Sequence, residues 1–115
     1  MMTILGEKRN AAIRDLNDDF RRAGGLGGRV LFTAGVSDLG VEFSHLALGL
    51  VRLFDKFDAD NDPHGEHDFG SFELAGEKYF FKIDYYNLDM SGGSEDPANP
   101  DITARVLTIM HVLEY

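Results

Sequence analysis

Residues 78–86 read KYFFKIDYY. Successive side chains of a β-strand point to opposite faces, so Tyr79, Phe81, Ile83 and Tyr85 lie on one side and Phe80, Lys82, Asp84 and Tyr86 on the other. One side is apolar and the other mixes aromatic with charged groups. A chain with such a strand is committed to a sheet that buries one face and leaves the other at least half in water. Residues 69–75 form a second run of the same kind. Gly76-Glu77 lies between the two and predicts a hairpin turn.

Helical spacing appears twice before the hairpin. Leu5, Ala12, Ile13, Leu16, Phe20 and Ala23 recur at helical intervals with charges between them, which predicts an amphipathic helix over 5–23 with Thr3 as its N-cap. GGLGG at 24–28 ends it. A β-branched segment, 29–36, predicts a strand. Ser37 or Asp38 is then placed to cap a helix over 39–57, where Phe43, Leu46, Ala47, Leu50, Phe54 and Phe57 form one broad apolar face.

After the hairpin, residues 87–101 are rich in Gly, Pro, Ser and Asp and read as a loop. Residues 102–115 fit a helix through Ile102, Val106, Ile109, Met110 and Leu113, but their near-continuous apolar and β-branched content fits a central strand better. The order is α-β-α-β-β-β. It predicts one α+β domain over 1–115, with a mainly antiparallel sheet of about four strands and two helices on one face. A chain of 115 residues buries a core without staples.

Charge and composition set several chemistries aside. The chain has no cysteine, which removes disulfides, thiolate nucleophiles and cysteine-based zinc sites, and fits a cytoplasmic location. MMTILGEKRN lacks the pattern of a signal peptide, and no apolar run approaches the ~18 residues that span a bilayer. The net charge is −9. Residues 1–30 hold four acids and six bases, whereas residues 58–101 hold twelve acids and only Lys78 and Lys82. A surface of this kind repels nucleic acid and attracts basic protein surfaces.

The densest polar stretch is DNDPHGEHDFG, residues 60–70, with two histidines, four acids and no basic residue. As a calcium loop starting at Asp60 it fits at Asp62 and Gly65. It fails at His64, where Asp or Asn is preferred, and at Ser71, where a bidentate Glu belongs. In an extended chain His64, Glu66 and Asp68 point one way and His67 the other, which offers imidazole and carboxylates to Mn, Fe or Zn. Asp84 and His111 are candidates to complete that site. The plainer reading is a solvated bend shaped by Pro63 and Gly65, with Asp62 and Asp68 accepting backbone hydrogen bonds. HExxH, P-loop and GxSxG motifs are absent. Lys82 and Asp84 resemble the acid-and-lysine alternation of a metal nuclease, but cross-strand pairing on a half-exposed face accounts for them better. His45 and His111 lie in apolar segments and read as structural.

The runs DPHGEHDFGSF, KIDYYN, SEDP and RVLTIMHVLEY, in this order between Gly28 and Tyr115, resemble the uncharacterised bacterial family catalogued as domain of unknown function 3768. The resemblance implies a small bacterial protein often carried on plasmids and other mobile elements. It implies no activity and no catalytic residue. Charge and resemblance together predict a non-enzymatic interaction protein without a cofactor. Its sharpest form is a counter-defence inhibitor (anti-CRISPR or anti-restriction) whose acids mimic phosphates on a basic, nucleic-acid-binding surface of a partner. The candidate contacts are Asp60, Asp62, Glu66, Asp68, Phe80, Asp84, Tyr86, Glu95 and Asp96. The alternative is a metal-dependent hydrolase that holds a divalent ion with His64, Glu66, His67 and Asp68.

Overall fold

The structure, a computed structural model, describes residues 4–115; the expected cap at Thr3 lies outside them. The elements run α1 (Ile4–Arg22), β1 (Arg29–Phe32), α2 (Ala34–Ser37), α3 (Val41–Leu53), β2 (Phe69–Leu74), β3 (Glu77–Tyr86) and β4 (Ala104–His111), with 3-10 turns at Pro100–Ile102 and Val112–Glu114. The strands form one sheet in the order β1-β4-β3-β2. β2–β3 and β3–β4 are antiparallel, and only β1–β4 is parallel. This is the mainly antiparallel α+β sheet that the sequence predicts. The apolar C-terminal segment is its central strand.

The core lies where the alternation of β3 places it. Tyr79, Phe81 and Ile83 of β3 and Leu107 and Ile109 of β4 meet Phe20 of α1, Val36 of α2 and Ala47 and Val51 of α3. Even-numbered residues of β3 pair with Val106, Thr108 and Met110 on the opposite face. Gly70 of β2 makes one close approach possible: a side chain there would collide with Phe54 and Phe81, which pack edge to face at 5.2 Å.

Three boundaries differ from the sequence reading. The first strand stops at Phe32 because Thr33 caps a short helix; its hydroxyl donates to Glu114 (2.7 Å), and Glu114 also accepts from the Gly35 amide (2.9 Å). α3 is shorter than expected and faces differently. Ser44, Ala47 and Val51 are its buried residues, while Leu46 and Leu50, expected in the core, are exposed. Phe43 and Leu48 pack beside these residues, Phe43 against Tyr79 with ring centroids at 5.6 Å, so the side of α3 that carries Ser44, Ala47 and Val51 is the one that meets the rings of β3. The hairpin turn is Ala75-Gly76, with Leu74 paired to Glu77. Both turn residues have positive φ, 54° and 80°, as a two-residue hairpin loop requires.

Ala75 pays for that conformation, because a β-carbon crowds the following carbonyl in the left-handed region. Ala75→Asn should therefore stabilise the protein by about 1 kcal/mol. The change is read as a higher denaturant midpoint at unchanged slope, and a lower midpoint would contradict this account of the turn.

Candidate functional site

The DNDPHGEHDFG stretch is folded down onto α1. Asp62 is 8% exposed, and its Oδ1 accepts the backbone N–H groups of Glu66 (3.0 Å) and His67 (3.1 Å). Gly65 and His67 take φ values of 67° and 56°, so the segment turns instead of extending. The His67 ring stacks on Phe57 at 3.8 Å. Its Nδ1 lies 2.9 Å from Asp18 Oδ1 and must be the donor, because a carboxylate only accepts. Nε2 faces Asp62 Oδ2 at 3.6 Å.

Asp18 also accepts from Arg21 at 2.9 Å. Burial works to raise the Asp18 carboxyl, but the hydrogen bonds and charges of His67 and Arg21 outweigh it and hold the group below its ordinary value. Arg21, 1% exposed, turns its Nη1 to the carbonyls of Val51 (2.9 Å), Arg52 (3.2 Å) and Phe54 (2.7 Å). A guanidinium from α1 thus caps the C-terminus of α3, where orphan carbonyls carry partial negative charge. Its Nε is buried without a hydrogen-bond partner.

A second network lies beside the first. Asn17 has no exposed surface. Its Nδ2 donates to the Tyr85 hydroxyl (2.7 Å) and to the Glu66 carbonyl (3.0 Å), and its Oδ1 accepts from Arg105 Nε (2.7 Å). Arg105 donates onward to the Pro97 carbonyl (2.6 Å) and lies over the Tyr85 ring. Tyr85 donates to Glu66 Oε1 at 3.2 Å, and burial holds its phenol protonated far above the ordinary range. Nothing in the sequence reading singled out Asn17, Asp18, Arg21 or Arg105. The available signal was Asn17 and Arg21 standing on the same helical stripe as Ile13 and Phe20.

The proposed contact residues are dispersed by this arrangement. Asp62 and Glu66 are tied into the interior. Phe80 packs against Phe69 and Tyr115, with ring centroids at 5.0 and 5.3 Å. Asp96 pairs with Arg9 at 3.4 Å, and Asp60 and Glu95 are exposed. Asp68 and Asp84 line a hollow of about 380 Å³ together with Asp60, His64, Lys82 and Tyr115. Tyr86 lines a larger adjoining hollow of about 630 Å³ on the same open face, which shares Lys82, Asp84 and Tyr115.

The four proposed metal ligands do not converge. Glu66 turns to Tyr85 and His67 to Asp18, while His64 and Asp68 line the hollow, contrary to the alternation expected of an extended chain. Among the described residues, no three His, Asp or Glu side chains are arranged to hold a metal ion. His111 caps the last 3-10 turn through Leu113 and faces Glu77 at 3.7 Å, while Asp84 pairs with Lys82 at 3.0 Å. His45 is exposed on α3, outside the core that its apolar neighbours suggested.

Two outcomes follow from this geometry. Asn17→Ala leaves Arg105 Nε and the Tyr85 hydroxyl without their partner, and should cost about 3 kcal/mol in urea unfolding; a loss below about 1 kcal/mol would place the energy elsewhere. Burial, then the charges of Glu66 and Asp62, hold the Asp68 carboxyl above its ordinary 3.8. As pH falls, folded Asp68 takes up its proton before the unfolded chain does, so its charge costs stability above the raised pKa and nothing below 3.8. Asp68→Asn should therefore raise Tm at neutral pH, with a gain that shrinks on acidification and vanishes below 3.8. A gain independent of pH would refute the assignment.

No helix among the described residues is long and apolar enough to cross a membrane. No curated protein and no solved structure matches the chain. A family model, described as a protein of unknown function (DUF3768), matches residues 32–114. The match takes in α2, α3, β2, β3 and β4 and leaves out α1, which supplies Asn17, Asp18 and Arg21. With most of its length matched, the chain belongs to the DUF3768 family.

Proposed function

We propose that this protein is a non-enzymatic binding module that docks on the basic surface of a protein partner. The observation that carries the reading is the sheet face without a helix. On that face Tyr86, Leu31 and Tyr115 lie beside the Lys82–Asp84 pair, over two adjoining hollows bordered by Asp60, Asp68 and Glu114. Aromatic groups within an acidic rim suit a partner that presents Lys and Arg around an apolar centre. In the narrower form, the partner is a nucleic-acid-handling complex and the acids occupy its groove in place of phosphates. That form rests on the charge balance of residues 58–101. Asp62 and Glu66 drop out of the contact set, because both serve the interior.

The test is crosslinking in cells that carry the protein, followed by affinity measurement on the partner recovered. The variant Asp60→Lys/Glu95→Lys should weaken binding at least tenfold, and wild-type binding should fall steeply with salt. Unchanged affinity together with salt-independent binding would overturn the proposal.

The alternative hydrolase reading has His64, Asp68 and Asp84 lining one hollow in its favour, and against it that no three such side chains among the described residues are arranged to hold a metal ion. It would gain support from a dose-dependent rise in Tm with Mn or Zn that His64→Ala abolishes.

A further inference from the structure

α3 is apolar on both of its sides. Eight of its thirteen residues are Val, Phe, Ala or Leu. Ser44, Ala47 and Val51 turn inward with Phe43 and Leu48 packed beside them, while three leucines turn to solvent: Leu46 is 61% exposed, Leu53 82% and Leu50 40%. Leu39, just before the helix, extends the stripe at 56%. Positions 46, 50 and 53 of the helix repeat at helical spacing and so line one side. A helix apolar on both sides belongs in an interior, and a soluble chain rarely leaves such a stripe uncovered.

We infer that this stripe is a self-association surface, on which two copies pack α3 against α3, antiparallel about a two-fold axis. Charge selects the occupant. The chain carries −9, but between Leu39 and Leu53 the only charged residues are Glu42 and Arg52. They stand near opposite ends of the helix and cancel. A two-fold axis passing between Leu46 and Gly49 brings Glu42 of each copy toward Arg52 of the other. Of the acidic stretch, Glu73 borders the stripe, in a hollow it shares with Leu50, Leu53, Asp55 and Lys56, where the lysine offsets part of the acidic charge. A membrane surface is a poor alternative, because an interfacial helix carries a fringe of Lys and Arg that α3 lacks.

The shape agrees. Gly49 has open space where a side chain would stand. A hollow of about 290 Å³ between Arg22, Gly49, Arg52 and Leu53 is placed to receive Leu46 of the second copy. Arg52 Nε donates to the Arg22 carbonyl at 2.8 Å, which holds the guanidinium at the rim of that hollow. The whole helix runs about 20 Å at 1.5 Å per residue. A single helix pair of that length falls short of the roughly 800 Å² per partner of a standard interface, so the dimer is reversible.

Sedimentation equilibrium over roughly a hundredfold concentration range tests this. The wild-type chain should show a monomer–dimer equilibrium, and Leu46→Glu/Leu53→Glu should stay monomeric with an unchanged circular dichroism spectrum. Glu42→Arg and Arg52→Glu should each weaken the dimer about fivefold, since two symmetric rim pairs are lost at once. The double exchange Glu42→Arg/Arg52→Glu should restore it to within about twofold. A wild-type chain that remains monomeric, a dimer that survives both leucine substitutions, or an absence of rescue in the double exchange would each overturn the inference. None of these outcomes depends on the open sheet face.

Discussion

Asn17 has no contact with solvent, yet its one amide reaches β3 through Tyr85, β4 through Arg105 and the segment before β2 through the Glu66 carbonyl. A buried polar group is costly unless satisfied, and a satisfied network fixes one arrangement of the elements that supply it. One turn further along α1, Arg21 does the same for α3 by taking its last carbonyls, with Asp18 balancing its charge. Apolar contact alone lets a helix slide over a sheet. These two residues set the rotation and register of α1, and the acidic stretch then folds onto a surface already in place. A buried charge of this kind holds only while its partners are complete, so the sites are coupled and their substitutions should not add independently.

What the sequence disclosed follows the strength of its periodic signals. The alternation of β3 identified the buried face residue by residue, and the apolar density of the last segment placed β4 at the sheet centre. Helical periodicity located α3 but not its orientation, because apolar residues stand on both sides; Phe43, Ala47, Leu48 and Val51 face the core and Leu46, Leu50 and Leu53 face out. In the DNDPHGEHDFG segment, alternation assumed extended backbone. Left-handed residues at Gly65 and His67 break it, and the partner of His67 lies 49 residues away. No local pattern encodes such a pairing. The weak trace it left was polar side chains inside the apolar stripe of α1.

The same contacts temper the charge asymmetry. Arg9 reaches Asp96, and Arg14 and Asn10 reach the carbonyls of Gly65 and His64. The basic helix therefore lies against both acidic loops and offsets part of their field where they meet it, while Asp60 and Asp84 border the open sheet face. Charge counted along a chain overstates the potential presented to a partner when opposite charges are folded together. The two uncovered surfaces, the sheet face and the outer side of α3, lie on opposite sides of the core. A pair of chains joined through α3 would present two sheet faces outward, and a partner with repeated sites would bind both with higher effective concentration.

The place of β4 bears on how the protein is made. It is the last strand along the chain and the central one in space, bonded to β1 on one side and β3 on the other. During synthesis, the β2–β3 hairpin is the only part of the sheet able to form before residues 104–111 leave the ribosome. Until then Tyr79, Phe81 and Ile83 have no finished core to enter, and β1 has no neighbour. From the synthesis of Tyr86 until His111 emerges, the nascent chain holds the apolar face of β3 uncovered, a state that attracts chaperones and aggregation alike. Sheet assembly is thus a late, long-range event, and the speed of folding is governed by closing the chain from Arg29 to Val106 instead of by any local element.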